Sequence, residues 1–262
     1  MVTDVANSIE RIPMCSMDEF QRRYVKTSTP VIFTGMMDDW PARRLWSLDY
    51  LQSKFGTTRM TVGKTSSARL TVSAKEGIPQ EEMEFGRYID LLREGNPAYY
   101  LITSIDERLP ELLSDIIYPE IYQSARWTSV RLWVSGHDTH TPLHHDLPEN
   151  LYAMIFGRKR VLLVHRNQAR NVYLHGRLSA VPNFCRADVE NPDYERFPRL
   201  RRIKPLAFTV EAGEVLYIPR LWFHQFRALQ VSASLALWWA SGAVAVLARV
   251  SHAYARMRKL RR

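Results

Sequence analysis

The sequence predicts a mainly β fold: a double-sheet jelly roll, preceded by an α/β N-terminal portion and followed by a C-terminal helix. From Trp127 onward, about eight short runs rich in β-branched and aromatic residues follow one another between Gly and Pro turns, the spacing of a sandwich or barrel. Before them, helical and strand periodicities alternate. The chain has 262 residues, 46% of them hydrophobic and 11% aromatic, so it can bury a large core, and a single domain over 1–262 is expected. The same composition excludes disorder, collagen and coiled coil.

Ser16-Met17-Asp18-Glu19 reads as a capping box that opens a helix to about Tyr24, and Pro30 to Gly35 reads as a strand. A helix from Ser47 to Phe55, a strand from Thr58 to Val62, an amphipathic helix from Glu84 to Arg93 and a β-rich run from Ala98 to Thr103 follow within the portion 1–126. The jelly-roll core, 127–240, holds strand patterns at Trp127 to Ser135, Thr141 to His145, Leu151 to Phe156, Arg160 to Val164, Leu206 to Val210, Val215 to Ile218, Trp222 to Phe226 and Val231 to Trp239. Segment 167–204 is rich in Arg, Asn and Pro and reads as a long irregular insertion, a kind that is usually functional or packed as a compact excursion. The last portion, 241–262, reads as a helix from Ala243 ending in Arg256, Arg258, Lys259, Arg261 and Arg262.

The uncharged run from Ala228 to Ala248 is long enough to cross a bilayer. Its Val231, Ala233, Leu235 and Leu237 alternate with Ser232, Ser234 and Ala236, a strand period, and Ser241-Gly242 breaks the run; no membrane span is expected. Residues 1–7 lack a basic segment followed by an apolar run, and Cys15 and Cys185 have no paired spacing, which points to a reducing, cytoplasmic setting. Lys and Arg number 36 against 27 Asp and Glu, a net charge of +9 that favours anionic partners.

The chemistry concentrates in Thr141-Pro142-Leu143-His144-His145-Asp146. Residues two apart on a strand share a face, so His144 and Asp146 can present an imidazole and a carboxylate to one point while His145 faces away. His224, heading another predicted strand, is the candidate third ligand. Two histidines and a carboxylate on adjacent strands form the facial triad of non-haem iron(II) oxygenases, with positions left open for co-substrate and O₂. Lys159 begins the neighbouring strand, where a buried cation could pair with the distal carboxylate of a dicarboxylate co-substrate such as 2-oxoglutarate. Thr141 and Tyr100 offer hydroxyl donors to the same carboxylate. Tyr217, Trp222, Phe223 and Trp238 read either as apolar walls of this site or as ordinary core aromatics.

Three stretches carry a family resemblance: Thr141 to Arg160 (TPLHHDLPENLYAMIFGRKR), Asn191 to Pro198 (NPDYERFP) and Glu211 to His224 (EAGEVLYIPRLWFH), with support from Pro30 to Tyr50. The sequence resembles the JmjC, or cupin-like, Fe(II)- and 2-oxoglutarate-dependent oxygenases, whose fold is a double-stranded β-helix. By that resemblance His144, Asp146 and His224 would hold iron, Lys159, Thr141 and Tyr100 would hold 2-oxoglutarate, and Asn150 would place an amide close to the co-substrate. The resemblance implies O₂-dependent hydroxylation of a C–H bond with release of succinate and CO₂. Ala236 departs from the pattern, standing where members have an Asn two residues before a Trp.

The substrate expected first is a polypeptide side chain. A modified tRNA base is the alternative, to which the basic residues of the insertion and C-terminal helix are suited. A further alternative is a non-catalytic metal-binding jelly-roll protein, which Ala236 would favour. The C-terminal helix could pair with a second copy to give a homodimer.

Overall fold

The computed structural model describes residues 9–260. The readings of residues 1–7, of Arg261 and Arg262, and of the basic side chains at 256–259 fall outside what is described. The strands are β1 (Arg11–Pro13), β2 (Val31–Thr34), β3 (Arg59–Ser66), β4 (Arg69–Leu70), β5 (Gln80–Glu84), β6 (Tyr99–Ser104), β7 (Trp127–Ser135), β8 (His140–His145), β9 (Glu149–Phe156), β10 (Arg158–Val164), β11 (Leu206–Glu211), β12 (Val215–Ile218), β13 (Phe223–Ala228) and β14 (Ser232–Ala240). One layer runs β1-β2-β12-β9-β14-β7-β6-β3, with β5 also on β3; the other runs β4-β8-β13-β10-β11. β3 pairs with β4, so hydrogen bonding continues from one layer to the other, and β1 and β11 remain as the two ends of an unclosed path. The sequence patterns found the core strands but not β1, β4 or β5; β1 and β4 are too short to show a period, and β5 is mostly charged and polar.

Side-chain alternation sorts the apolar residues into three cores. Between the layers, Ile32, Tyr152, Met154, Leu216, Ile218 and Ala236 meet Val161, Leu163, Val210, Trp222 and Phe226. Behind the first layer, the other faces of the same strands, including Val130, Leu132, Val134, Leu151, Ala153, Leu235 and Leu237, pack on Phe20, Trp40, Leu51, Phe85 and Tyr88. These last come from α1 (Met17–Phe20, continued as a π-turn over Gln21–Val25), the approach to α2 (Pro41–Leu45), α3 (Leu48–Phe55) and α4 (Phe85–Arg93). The Ser16 side chain accepts from the Glu19 N–H and the Ser47 side chain from the Tyr50 N–H, so both expected helix starts are capped.

Behind the second layer, Leu143, Leu162, Val164 and Phe223 are covered by Val172, Cys185, Ala187, Val189, Phe197 and Leu200 of the insertion. The insertion is therefore a packed cover and not a free loop. Two further short helices, α5 (Ile105–Arg108) and α6 (Glu120–Gln123), precede β7, and α7 (Gly242–Leu260) follows β14. α7 rests on the body through Ala245 and Ala248 beside Ala240. No helix among the described residues is long and apolar enough to cross a membrane.

The turn that carries the chain from β9 to β10, and so from one layer to the other, is a single residue, Gly157, at φ 76°. β10 accordingly begins at Arg158, two residues before the sequence pattern starts it. A Cβ at Gly157 would collide with the Val231 carbonyl and lie 2.7 Å from Ser232 Cβ. Gly157→Ala is expected to cost at least about 2 kcal/mol through left-handed strain plus this clash, read as a lowered urea midpoint at unchanged slope; a midpoint equal to wild type contradicts the corner's role.

Candidate metal centre

His144 and His224 are directly opposite each other on β8 and β13. Asp146 follows the end of β8, on the same face as His144. One ligand atom from each of the three lies within 4.8 Å of the other two. His224 Nε2 is 3.4 Å from Asp146 Oδ2, and the two imidazole centroids are 4.3 Å apart. His145 points the other way, edge-on to Phe223 at 5.3 Å.

Both imidazoles are oriented by the same device. His144 Nδ1 bonds the Pro142 carbonyl at 2.9 Å and His224 Nδ1 the Trp222 carbonyl at 3.1 Å. A carbonyl can only accept, so Nδ1 is the donor in each ring, which leaves Nε2 as the nitrogen on the side of the third ligand, where a metal would be held. Burial, with His224 as the second cause, pushes the His144 imidazole down to about 4, so it is neutral at physiological pH. Burial raises the Asp146 carboxyl, but its hydrogen bond to His224 and the surrounding imidazoles outweigh that and hold it below its ordinary value. The set offers two imidazole nitrogens and one carboxylate, donors that suit a divalent iron and leave coordination positions open.

The loop before β13 is built to hold this geometry. Glu149 Oε2 accepts from the Tyr217 hydroxyl at 2.8 Å and the Arg220 N–H at 2.9 Å. Leu221, at φ 63°, donates its N–H to the Asp146 carbonyl at 2.8 Å. Asp146 and His224 are thus tied through one short loop. That reversal also leaves Trp222 ahead of β13, which starts at Phe223. From the insertion, Phe184 stacks on His144 with centroids 4.7 Å apart and planes at 10°. Asn183 bonds the His145 backbone in both directions, anchoring that cover to β8.

Lys159 reaches across the interlayer space. It is 1% exposed, donates to the Tyr152 hydroxyl at 2.9 Å and to Ser234 Oγ at 3.3 Å, and no carboxylate of the described residues pairs with it. Its ammonium also lies over the Tyr100 and Tyr152 rings. Burial alone lowers its pKa from 10.5 to about 7. The Tyr100 hydroxyl lies beside Thr141 and Ser135. Thr141 Oγ1 and Asn150 Oδ1 are buried without a hydrogen-bond partner. A buried ammonium ringed by hydroxyls, with spare polar atoms nearby, fits a carboxylate group of a bound molecule.

All seven expected residues therefore line one interlayer space. Thr141 gets there through a β-bulge: Pro142 and Leu143 together face Gln225, so Thr141 and His144, three apart, share the inner side. Tyr152 and Ser234, the direct partners of Lys159, were not foreseen; their only sequence signal is an inward position on strands facing it. Phe184 had none. Of the four candidate wall aromatics, Trp222 and Trp238 belong to the interlayer core, whereas Phe223 and Tyr217 pack behind the two layers. His144→Ala and His224→Ala are each expected to weaken Co(II) binding at least about 100-fold with the far-ultraviolet circular dichroism unchanged; wild-type affinity in either variant removes that residue from the centre.

A family model described as a cupin-like domain matches residues 17–243. Lysine-specific demethylase 8 of Xenopus tropicalis is 28% identical over 250 residues, covering 91% of this chain and 54% of that protein. Lysine-specific demethylase JMJ30 of Arabidopsis thaliana is 29% identical over 245 residues, covering 90% and 55%. Human tRNA wybutosine-synthesizing protein 5 is 24% identical over 250 residues, covering 88% and 77%. The chain spans about half the length of the two demethylases. The matched segment contains the triad, the Lys159 pocket and the insertion that covers them, and the chain belongs to the cupin-like domain family.

Proposed function

We propose that the protein is an Fe(II)- and 2-oxoglutarate-dependent oxygenase that hydroxylates a C–H bond of a polypeptide side chain and releases succinate and CO₂. The observation that carries this is the coexistence, in one interlayer space, of a donor set of two imidazoles and a carboxylate with a buried ammonium that has no carboxylate partner among the described residues. Iron with its 2-oxo acid and O₂ supplies the oxidising power. The chain supplies position and a dry setting. His144, Asp146 and His224 hold the metal. Lys159 takes the distal carboxylate, with its ammonium aimed by Tyr152 and Ser234, and Tyr100 and Thr141 add hydroxyl donors. Asn150 places its amide beside the co-substrate, and Phe184 shields His144 from water.

A polypeptide substrate is supported by the two relatives named as lysine-specific demethylases. A modified tRNA base is the second reading, supported by the relative named for wybutosine synthesis and by the basic 3₁₀ segment Pro198–Arg202 within the insertion. The two free cysteines suit a reducing cytoplasm. Exposed Val246, Leu247 and Val250 on α7 suit pairing with a second copy as a homodimer.

The test is succinate formation by anaerobically Fe(II)-loaded protein after O₂ is admitted, with a peptide pool or total tRNA added. Peptide-stimulated succinate that is absent in His144→Ala is the expected result. Stimulation by tRNA alone moves the substrate to RNA, and equal turnover in the variant contradicts the assigned centre.

A further inference from the structure

The insertion carries cations that its own acids do not meet. Asp188 and Glu190 turn toward the strands and pair with Arg69 and Arg227. Asp193 accepts the Glu195 and Arg196 N–H groups at 3.1 and 2.9 Å and so closes its own turn. Glu195 is exposed and joins no ion pair among the described residues. Arg196, Arg199, Arg201, Arg202 and Lys204 are all exposed, and none has a carboxylate partner among the described residues. Exposed Arg23, Arg59, Arg87 and Arg93 elsewhere each meet one.

Three of these guanidinium groups lie over rings: Arg201 over Tyr194 at 4.1 Å, Arg199 over Tyr173 at 4.4 Å and Arg196 over Phe197 at 5.2 Å from the centroid. A guanidinium laid on a ring keeps its N–H fork in one plane, so less side-chain freedom is lost when an anion arrives. Beside Arg201 is a cavity of about 170 Å³, walled by Val189, Pro192, Leu200, Ile203 and Pro205 and bordered by Tyr194 and Arg201. Val189 and Leu200 belong to the core behind the second layer, and Ile203 packs against it. The cavity is therefore on the outer side of the insertion, with the second layer between it and the metal centre. Tyr194 and Arg201 are exposed, which opens it to solvent on their side.

Going beyond the oxygenase reading, we propose that this face is a docking site for an acidic segment of a partner polypeptide. An aliphatic side chain of that segment enters the cavity. Neighbouring Asp or Glu carboxylates meet Arg201 and the two cations that alternate with the wall residues in sequence, Arg202 and Lys204. The buried apolar anchor supplies most of the affinity; exposed charge pairs are individually weak and supply orientation and encounter rate. A nucleobase in the cavity would bury its polar edge against carbon, and a basic segment would meet only like charge.

The test pans the immobilised full chain with a random peptide library, with single-stranded RNA of random sequence as a second probe. Wild type is expected to select a Leu, Ile or Val flanked by Asp or Glu, with binding that weakens as salt is raised. Replacing the selected aliphatic residue of the peptide by Ala should weaken binding at least about tenfold. Arg201→Gln with Arg202→Gln should weaken it by a similar factor, and Arg201→Glu should lose the acidic preference at one flanking position. Both changes are on exposed side chains, so the thermal unfolding curve should match wild type. No acidic and aliphatic selection by wild type, a selection unchanged in Arg201→Glu, a peptide indifferent to loss of its aliphatic residue, or Arg201-dependent binding of RNA in place of peptides overturns the proposal. None of these readouts needs metal or 2-oxoglutarate, so failure of the oxygenase reading leaves the result interpretable.

Discussion

Burying a lysine ammonium between two sheets costs several kcal/mol unless an anion meets it. Among the described residues the ammonium of Lys159 finds two hydroxyls and two tyrosine rings. The surrounding architecture keeps it there. Gly157 turns the chain between layers in one residue, so Lys159 enters at the second position of β10 and must point inward with Val161 and Leu163. The facing strands place Tyr152 and Ser234 where they solvate the charge partially, while burial lowers its pKa and leaves its need for a carboxylate unmet.

The same strand carries this requirement to the metal centre. β10 pairs with β13 so that Leu163 lies opposite His224, and β13 pairs with β8 so that His224 lies opposite His144. Lys159 and the two histidines are therefore held at a set separation by ladder hydrogen bonds. Loops contribute orientation: Glu149 and Leu221 set the approach to His224, and Asn183 with Phe184 brings the insertion over His144. A co-substrate bound at both ends would span two positions that the backbone already holds apart.

Much of this was legible in the sequence because strand alternation is a strict rule. The two-residue spacing of His144 and Asp146 and the inward place of Lys159 follow from it directly. The exceptions are where the backbone departs from that period. Thr141 shares a side with His144 only because Pro142 and Leu143 bulge against Gln225. Tyr217 and Phe223 are no exception, since they alternate with the inward Leu216, Ile218, Trp222 and His224 and so fall behind the layers. Tyr152 and Ser234 are partners of Lys159 through packing of one layer on another, which a single sequence does not encode as spacing. Phe184 reaches the centre from an irregular segment with no period at all.

The most direct measurement is the proton uptake that accompanies 2-oxoglutarate binding to the Mn(II)-loaded protein, by calorimetry in buffers of different ionisation enthalpy. Lys159 is lowered to about 7 without a partner, and a bound carboxylate raises it again, so binding must take up a proton wherever the free lysine is neutral. Uptake is expected to approach one proton at about pH 8 and to vanish at about pH 6, with affinity falling as pH rises past the free pKa, and with no uptake in Lys159→Met. Tight binding at about pH 8 with no proton taken up, and affinity independent of pH, would contradict the account.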